Sequence, residues 1–340
     1  MYAWTTGVSS TGIFTKDEST SWPSGDSGIP WGWGNNEPFT IEAIADGDIV
    51  ITNPQGLTIK YSKTVSLNNA VSENSATITI PVLAGDKVRF WGNNSVYGHV
   101  DLRSLCTNIK GTAEHYAYGD LRSLLSDSNY PNITSLEDGA FCQLFLFDTE
   151  LKSHPTLDLR FNVSSVGISS CAQMFHGCTK LVRAPNLTAT TLGQACYDAM
   201  FYECEALTEA PATLPATTLA EECYASMFAI CTSLVKAPTL PATTLAGWCY
   251  NNMFDYCLSL QTAPQLPAPT LVEGCYAYMF RDCENLNYVT CLATNIGATY
   301  ATENWMENVA TNGTFIKEVG VSWPIGTSGI PAGWNVKWGE

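Results

Sequence analysis

A stretch of 25 residues near the middle of the chain decides its architecture. Residues 214–238 read Leu-Pro-Ala-Thr-Thr-Leu-Ala-Glu-Glu-Cys-Tyr-Ala-Ser-Met-Phe-Ala-Ile-Cys-Thr-Ser-Leu-Val-Lys-Ala-Pro. The Met-Phe pair of this stretch begins at residues 174, 200, 227, 253 and 279, so it recurs every 26 or 27 residues. Self-similarity at a fixed period of this length is the sequence signature of a solenoid, in which each repeat forms one coil.

Within each repeat, four mostly apolar residues lie four positions apart. In the quoted repeat they are Leu219, Cys223, Met227 and Cys231. Side chains at i and i+4 share one face of an α-helix, although a spacing of four drifts by about 40° per step around the axis. Thr218 also precedes Glu221 by three residues, the spacing of a capping box. The pattern predicts one helix per repeat.

A short extended segment follows each predicted helix and ends at Ala-Pro, as in residues 234–238. Because proline cannot donate to a sheet ladder, each strand is expected to stop there after about three or four residues. One strand and one helix per repeat predict an α/β leucine-rich-repeat solenoid of about six coils over residues 134–298. Helices that pack 8–10 Å apart and strands that pair about 4.8 Å apart would curve the stack, with the strands on the concave side.

The regions that flank the repeats have other patterns. Residues 35–100 alternate apolar and polar positions between turn signals, which predicts a small antiparallel β-sandwich. Residues 101–133 are expected to form a junction and N-terminal cap. Residues 299–340 are expected to form a C-terminal cap and a Trp/Pro/Gly tail, with a last degenerate helix near residues 300–309.

The C-terminal tail has a second copy at the start of the chain. Residues 4–33 align without a gap to residues 305–334, and 15 of the 30 positions are identical. One interpretation is that residues 1–34 are the tail of a preceding module, so that the parent protein contains tandem copies. The other is a duplicated capping segment within one protein.

Composition excludes several classes of function. The formal net charge is −16 and no basic stripe appears, so nucleic acid is not an expected partner. No apolar run approaches the roughly 18 residues of a membrane span, and membrane insertion is not expected. The 13 cysteines are predicted to be buried free thiols, because helix spacing would hold equivalent cysteines beyond disulfide range.

No catalytic or metal-binding motif is found in the sequence. Cys-x-x-Cys pairs are absent, and the four histidines are scattered, so neither a metal nor another cofactor is expected. Asp46-Gly47-Asp48 could contribute to a calcium site but fits a hairpin turn better. Carboxylate pairs for glycoside hydrolysis can be distant in sequence, but nothing indicates one. The chain is predicted not to be an enzyme.

The Met-Phe-x-x-Cys-x-x-Leu repeat resembles the BspA-like leucine-rich repeats of bacterial surface proteins. Its Leu-Pro-Ala-Thr-Thr-Leu form is similar to those of gut Bacteroidales, and such repeats also occur in phage. The segment that begins Pro38-Phe39-Thr-Ile-Glu-Ala and the Ser322-Trp323-Pro324 tail resemble parts that accompany these repeats. The resemblance implies adhesion or recognition at an extracellular or cell surface, or on a phage virion, and it implies no catalytic residues.

Binding is expected at the positions that vary between repeats, because packing does not constrain them. Tyr, Trp and Arg dominate binding hot spots, although tolerant surface sites would vary in the same way. The predicted function is that of a non-enzymatic adhesin or recognition module for a host or bacterial surface protein or glycan. The alternatives are a structural spacer in a tandem array and a receptor-binding fibre component of a phage. The candidate binding residues are Arg183, Tyr202, Glu209, Lys236, Trp248, Gln261, Tyr256, Tyr278 and Arg281.

Overall fold

The protein is described from a computed structural model, which covers residues 37–64 and 67–339. The proposed tail of a preceding module, residues 1–34, therefore lies outside the described residues. The strands are β1 (Thr40–Ala43), β2 (Gly47–Thr52), β3 (Ile59–Ser62), β4 (Val71–Glu73), β5 (Thr77–Val82), β6 (Lys87–Trp91), β7 (Asn108–Gly111), β8 (His115–Asp120), β9 (Ser135–Leu136), β10 (Leu151–Ser153), β11 (Leu159–Arg160), β12 (Ser165–Val166), β13 (Thr191–Leu192), β14 (Tyr288–Cys291), β15 (Thr314–Lys317) and β16 (Asn335–Trp338). Short 3₁₀ turns occur at Leu67–Asn69, Arg103–Leu105, Leu121–Leu124 and Tyr130–Asn132.

The chain divides into two compact units. The described part of the first consists of residues 37–95, 111–133 and 152–161, and the second contains residues 96–110, 134–151 and 162–339. In the first unit, strands lie in the order β10-β8-β1-β6-β3-β4, with β11 beside β8, and β2 pairs with β5. Apolar side chains alternate with exposed ones along β5, and Phe39, Ile41 and Phe90 are fully buried. The antiparallel strands predicted before the repeats are therefore present.

The predicted α/β solenoid with helices is wrong. Among the described residues no helix reaches seven residues, and the repeats consist of stacked β-turns. No helix begins at Thr218, which instead forms a parallel β-bridge with Thr244, and turns also replace the degenerate helix expected near residues 300–309.

Backbone N–H groups in the repeats alternate between two directions. In residues 195–204, the odd-numbered N–H groups donate to carbonyl oxygens of the next coil at 2.8–3.0 Å. The even-numbered groups from residue 198 onward donate to the carbonyl three positions back in the same coil, at 3.1–3.2 Å, and so close β-turns. We call this run of overlapping β-turns the turn ribbon. Half of its N–H groups find acceptors only on the next coil, whereas a helix would satisfy its N–H groups within one coil.

The four-residue spacing is explained by this geometry. A helix would rotate residues placed four apart by about 120° over three steps and would carry the last one off the buried face. In the turn ribbon a four-residue unit recurs without that drift, so Cys196, Met200 and Cys204 are all fully buried. Tyr197 and Phe201, the residues that follow the first two, are buried as well.

Left-handed backbone recurs at three fixed positions in every coil. Counted from the methionine of the Met-Phe pair, these positions lie five residues before it, one residue before it and three residues after it. Leu144 in the first coil and Trp305 in the last coil occupy the place of that methionine. Seven coils therefore provide 21 positions, and they contain all 18 non-glycine residues of positive φ among the described residues. Gly139, Gly177 and Gly274 occupy the other three.

The core of the solenoid consists of continuous rows of identical side chains. Phe rings from Phe145 to Phe280 stack from coil to coil with centroids 5.3–5.7 Å apart. Tyr rings from Tyr197 to Tyr276 form a second row at 5.7–6.0 Å. These separations are much smaller than the 8–10 Å between packed helices, and each stacked pair contributes about 0.5–1.5 kcal/mol beyond its buried area.

All 13 cysteines are free thiols in the structure, and all are buried, as predicted. The expected cause, helix spacing between equivalent cysteines, was wrong, because the hydrogen-bonded coils lie at strand spacing. One row of thiols instead donates hydrogen bonds to the Phe carbonyl of the preceding coil, as Cys204 Sγ does to Phe175 O at 3.1 Å and Cys231 Sγ to Phe201 O at 3.1 Å. A small apolar side chain with one weak donor fits that position.

The predicted strands that end at proline are reduced to single bridges. Arg183 bridges Glu209, Glu209 bridges Lys236, and Thr262 bridges Tyr288, all in parallel. At the C-terminal end this row lengthens into a sheet, in which β14, β15 and β16 run parallel.

Tryptophans close the C-terminal end of the solenoid. The Trp305 ring stacks on Trp323 at 5.4 Å, and its indole Nε1 donates to Gly329 O at 2.8 Å. Trp334 Nε1 donates to Ala310 O at 2.8 Å. Phe315, fully buried, packs edge-on against both Trp305 and Trp323. The residues shared with the N-terminal copy of the tail are therefore the residues that build this cap.

The turn ribbon reverses the usual effect of an alanine-to-glycine substitution. Ala199 has φ 50°, whereas Ala225 has no positive φ, and the two are similarly buried at 6% and 8% exposed. Ala199→Gly is expected to raise the free energy of unfolding by up to about 1 kcal/mol, because glycine relieves left-handed strain. Ala225→Gly is expected to lower it by about 0.5–1 kcal/mol. Urea denaturation measures both, and equal losses would contradict the assigned backbone.

Candidate functional site

The side of the turn ribbon that faces away from the core carries the most varied side chains. Its central positions lie two and three residues after the methionine position of each coil. We call this surface the outer strip, and it comprises residues 146–147, 176–177, 202–203, 229–230, 255–256, 281–282 and 307–308. Side chains at these positions do not belong to the stacked Phe, Tyr, Met and Cys rows.

Rings contact one another at the N-terminal end of the outer strip. His176 packs edge-on against Phe147 at 4.9 Å between centroids and lies 4.7 Å from the Tyr202 ring. His176 Nε2 lies 3.7 Å from a carboxylate oxygen of Glu203. Burial lowers the pKa of His176, and the Glu203 carboxylate opposes that shift. The amino group of Lys110 lies 5.9 Å from the Phe147 ring centre.

Charged groups pair at the C-terminal end of the outer strip. The Arg281 guanidinium makes two hydrogen bonds to the Asp255 carboxylate, with Nε–Oδ1 2.9 Å and Nη2–Oδ2 2.5 Å. The same guanidinium lies 5.1 Å from the Tyr278 ring centre. The hydrogen bonds that Arg281 donates to Asp255 raise the pKa of Arg281. Arg281 is thus held at a fixed place beside an aromatic face.

Trp248 and Tyr300 lie on the turn ribbon nearer the start of their coils, five residues before the methionine position. Trp248 covers Gly274, where an added Cβ would lie 2.3 Å from the indole, and the Trp248 ring is 6.2 Å from the Tyr300 ring. Phe147 covers Gly177 in the same way, also at 2.3 Å. Two of the three glycines at left-handed positions therefore lie under an aromatic ring of the preceding coil.

The nine predicted binding residues fall into two rows. Tyr202, Trp248, Tyr256, Tyr278 and Arg281 lie on the turn ribbon, and the structure brings Arg281 into contact with Tyr278. Arg183, Glu209 and Lys236 are neighbours along the row of single β-bridges. Gln261 is one residue before the bridged Thr262, and its carbonyl accepts a hydrogen bond from Asn287 N.

The nine candidate residues do not include Phe147, His176, Glu203 or Asp255, although Asp255 lies at one of the positions that vary between repeats. Phe147 belongs to the first coil, which lacks the Met-Phe pair, so its place in the repeat could be found only by aligning Gln143 and Phe147 with Gln173 and Gly177. His176 and Glu203 contact each other from adjacent coils, a relationship that the 27-residue separation indicates only when the stacking is known.

Backbone strain marks several of the exposed residues. Phe147, Tyr256 and Tyr300 have φ 55°, 61° and 55°, and their side chains are 49%, 45% and 54% exposed. A non-glycine residue with left-handed backbone lowers the free energy of unfolding by about 1–2 kcal/mol relative to glycine. A half-exposed ring offsets little of this loss, because little of its apolar surface is buried. Ile230, a β-branched residue at φ 61°, is in the same position of its coil as Tyr256. Strained backbone that carries exposed side chains is a feature of functional surfaces.

Among the described residues, no group of three His, Cys, Asp or Glu side chains is placed to hold a metal ion. No helix within residues 37–64 and 67–339 is long and apolar enough to cross a membrane.

Comparison of the chain with protein-family models, with curated proteins and with solved structures finds no match.

Proposed function

We propose that the protein is a non-enzymatic recognition module that binds a surface glycan or protein through the outer strip. The observation that carries this proposal is the strained, exposed aromatic set at left-handed positions. At these positions glycine would be cheaper for the fold, and a half-exposed ring such as Tyr256 is best explained by a contact to another molecule.

The chemistry of the outer strip fits such contacts. Tyr and Arg supply large contact area together with hydrogen-bond donors, and carboxylates of Glu203 and Asp255 supply acceptors. Phe147 and Tyr202 each contact the His176 ring, so these two rings would lose less side-chain freedom on binding than isolated rings would. The resemblance to BspA-like repeats supports the same function, with an extracellular, cell-surface or virion location.

The test uses glycan arrays and surface-protein arrays probed with the wild-type chain, followed by affinity measurement of the Tyr256→Gly variant. We expect the affinity to fall by about tenfold, which corresponds to about 1.4 kcal/mol. We expect the free energy of unfolding to stay the same or rise, because glycine suits φ 61° at this position. A loss of binding without a loss of stability separates a contact residue from a structural one.

The matched control is Val235→Gly, at an exposed position on the row of single β-bridges. It should leave the affinity unchanged. If affinity falls for Val235→Gly, Arg183→Ala and Lys236→Ala but not for Tyr256→Gly, the binding surface is the bridge row and the outer strip is not the site. If the array gives no ligand, the spacer function is favoured.

A further inference from the structure

A loop at the start of the second unit covers the first coil. Tyr97 N donates to Ala140 O at 2.8 Å, and Gly98 N donates to Gly139 O at 3.0 Å. Thr107 N then returns to Tyr97 O at 2.7 Å, which closes residues 97–107 into a compact loop. Because these bonds join the loop to carbonyl oxygens of the first coil, the loop serves as the N-terminal cap of the described coils.

Two thiols meet under this loop. Cys142 of the first coil and Cys106 of the loop are hydrogen-bonded to each other and form one buried cluster with Ala172. The Arg103 guanidinium donates from Nη1 to Cys142 Sγ at 2.6 Å. Among the cysteines, this pair alone has a hydrogen-bonded arginine beside it in the contacts that the structure shows.

Cys106 also differs from the other thiols in access and acidity. It is 6% exposed, whereas each of the other 12 cysteines has 0% exposure. The hydrogen bond between the two thiols, helped by a weaker contribution from the charge of Arg103, lowers the pKa of Cys106 to about 7 although burial opposes the shift. Burial raises the pKa of Cys204, Cys223 and Cys249 well above the usual range. The thiolate is the reactive form of cysteine, so Cys106, the more exposed thiol of a pair that lies beside an arginine, is the candidate nucleophile.

We propose that Cys106 and Cys142 form a redox-sensitive dithiol that a peroxide converts into an intramolecular disulfide. The Cys106 thiolate attacks one oxygen of hydrogen peroxide, the O–O bond breaks, and hydroxide leaves, which gives a sulfenic acid at Cys106. The Cys142 sulfur then attacks the Cys106 sulfur and loses its proton, and the sulfenic hydroxyl leaves as water. One peroxide and two thiols give one disulfide and two waters.

The remaining cysteines are unsuited to this reaction even though they lie in rows at strand spacing. Their sulfurs have no solvent exposure, and thiols such as Cys204 and Cys231 donate to backbone carbonyls at 3.1 Å. A disulfide between Cys106 and Cys142 would tie the capping loop to the first coil. Oxidation is therefore expected to raise the midpoint of thermal unfolding.

The experiment treats the reduced full chain with hydrogen peroxide at pH 7 and follows its intact mass and its proteolytic peptides. We expect the chain to lose two hydrogen atoms and to yield a peptide that links Cys106 to Cys142. Alkylation of Cys106 by iodoacetamide should be about tenfold faster than alkylation of any other cysteine, with a rate that rises through pH 7.

Three variants and one control decide the result. Cys106→Ser and Cys142→Ser should each abolish the linked peptide, and Arg103→Gln should slow alkylation of Cys106 and move its pH profile upward. Cys223→Ser, in a row of buried thiols, should leave the linked peptide unchanged. Circular dichroism melting identifies variants that fail to fold. The proposal is overturned if folded wild-type chain gives no Cys106–Cys142 link, or if Cys106 reacts no faster than Cys223.

Discussion

The Trp305→Ala variant is expected to lose about 3–5 kcal/mol of unfolding free energy, the cost of emptying a fully buried aromatic site. Trp305 is 0% exposed, stacks between Tyr276 and Trp323, and donates its indole N–H to Gly329. Its removal leaves a cavity between the last coil and the cap and leaves the Gly329 carbonyl without that donor. Urea denaturation followed by tryptophan fluorescence and by circular dichroism measures the loss.

Because solenoid coils contact only their neighbours, the effect should begin at the C-terminal end. Hydrogen exchange should rise first in β14, β15 and β16 and later in the coils near residue 200. Trp338→Ala is the matched control, since Trp338 is 58% exposed, and it should change the free energy by no more than about 0.5 kcal/mol. Equal losses for the two variants would show that Trp305 does not close the end of the stack.

Gly98→Ala is expected to lower the free energy of unfolding by about 3 kcal/mol. A Cβ at this position would lie 2.4 Å from Gly139 O and 2.5 Å from Cys142 Cβ, so the capping loop would have to move away from the first coil. Such overpacking commonly costs about 1–3 kcal/mol, and the backbone oxygen at Gly139 cannot be displaced by a rotamer change. Thermal melting and urea denaturation measure the effect.

Gly247→Ala provides the comparison. The only atom near its added Cβ is Glu273 O at 3.8 Å, and its φ is not in the left-handed range. This variant should keep its stability or gain about 0.4–1 kcal/mol, because alanine has fewer conformations in the unfolded chain. A Gly98→Ala variant as stable as Gly247→Ala would mean that the loop is not seated on the first coil as described.

The repeat and its buried positions could be predicted from the sequence, but the local conformation could not. The recurrence of Met-Phe with flanking Cys and Leu correctly identifies stacked coils, and the cysteines are buried as expected. The helix prediction failed because i, i+4 spacing is shared by a helix and by a ribbon of overlapping turns. The 40° drift that a helix would impose on Leu219, Cys223, Met227 and Cys231 was the one sign against it.

The candidate site shows the same division. Variation between repeats selected Tyr202, Tyr256 and Arg281 on the turn ribbon, because the interior positions are nearly invariant. It could not show that His176 meets Phe147 and Tyr202, or that Arg281 pairs with Asp255, since these contacts join residues of different coils. Nor could it show left-handed backbone at Tyr256 and Ile230, residue types that rarely adopt it.

The sequence by itself determined the period, the coil-by-coil stacking and the identity of the core side chains, because these follow from which residues repeat and which are apolar. Only the tertiary structure decided between helix and turn. In the turn ribbon half of the N–H groups find their acceptors on the next coil, so the conformation is stable only in the stack and has no signature within a single repeat. The cysteine-containing repeats therefore form a solenoid of turns held together by hydrogen bonds between its coils.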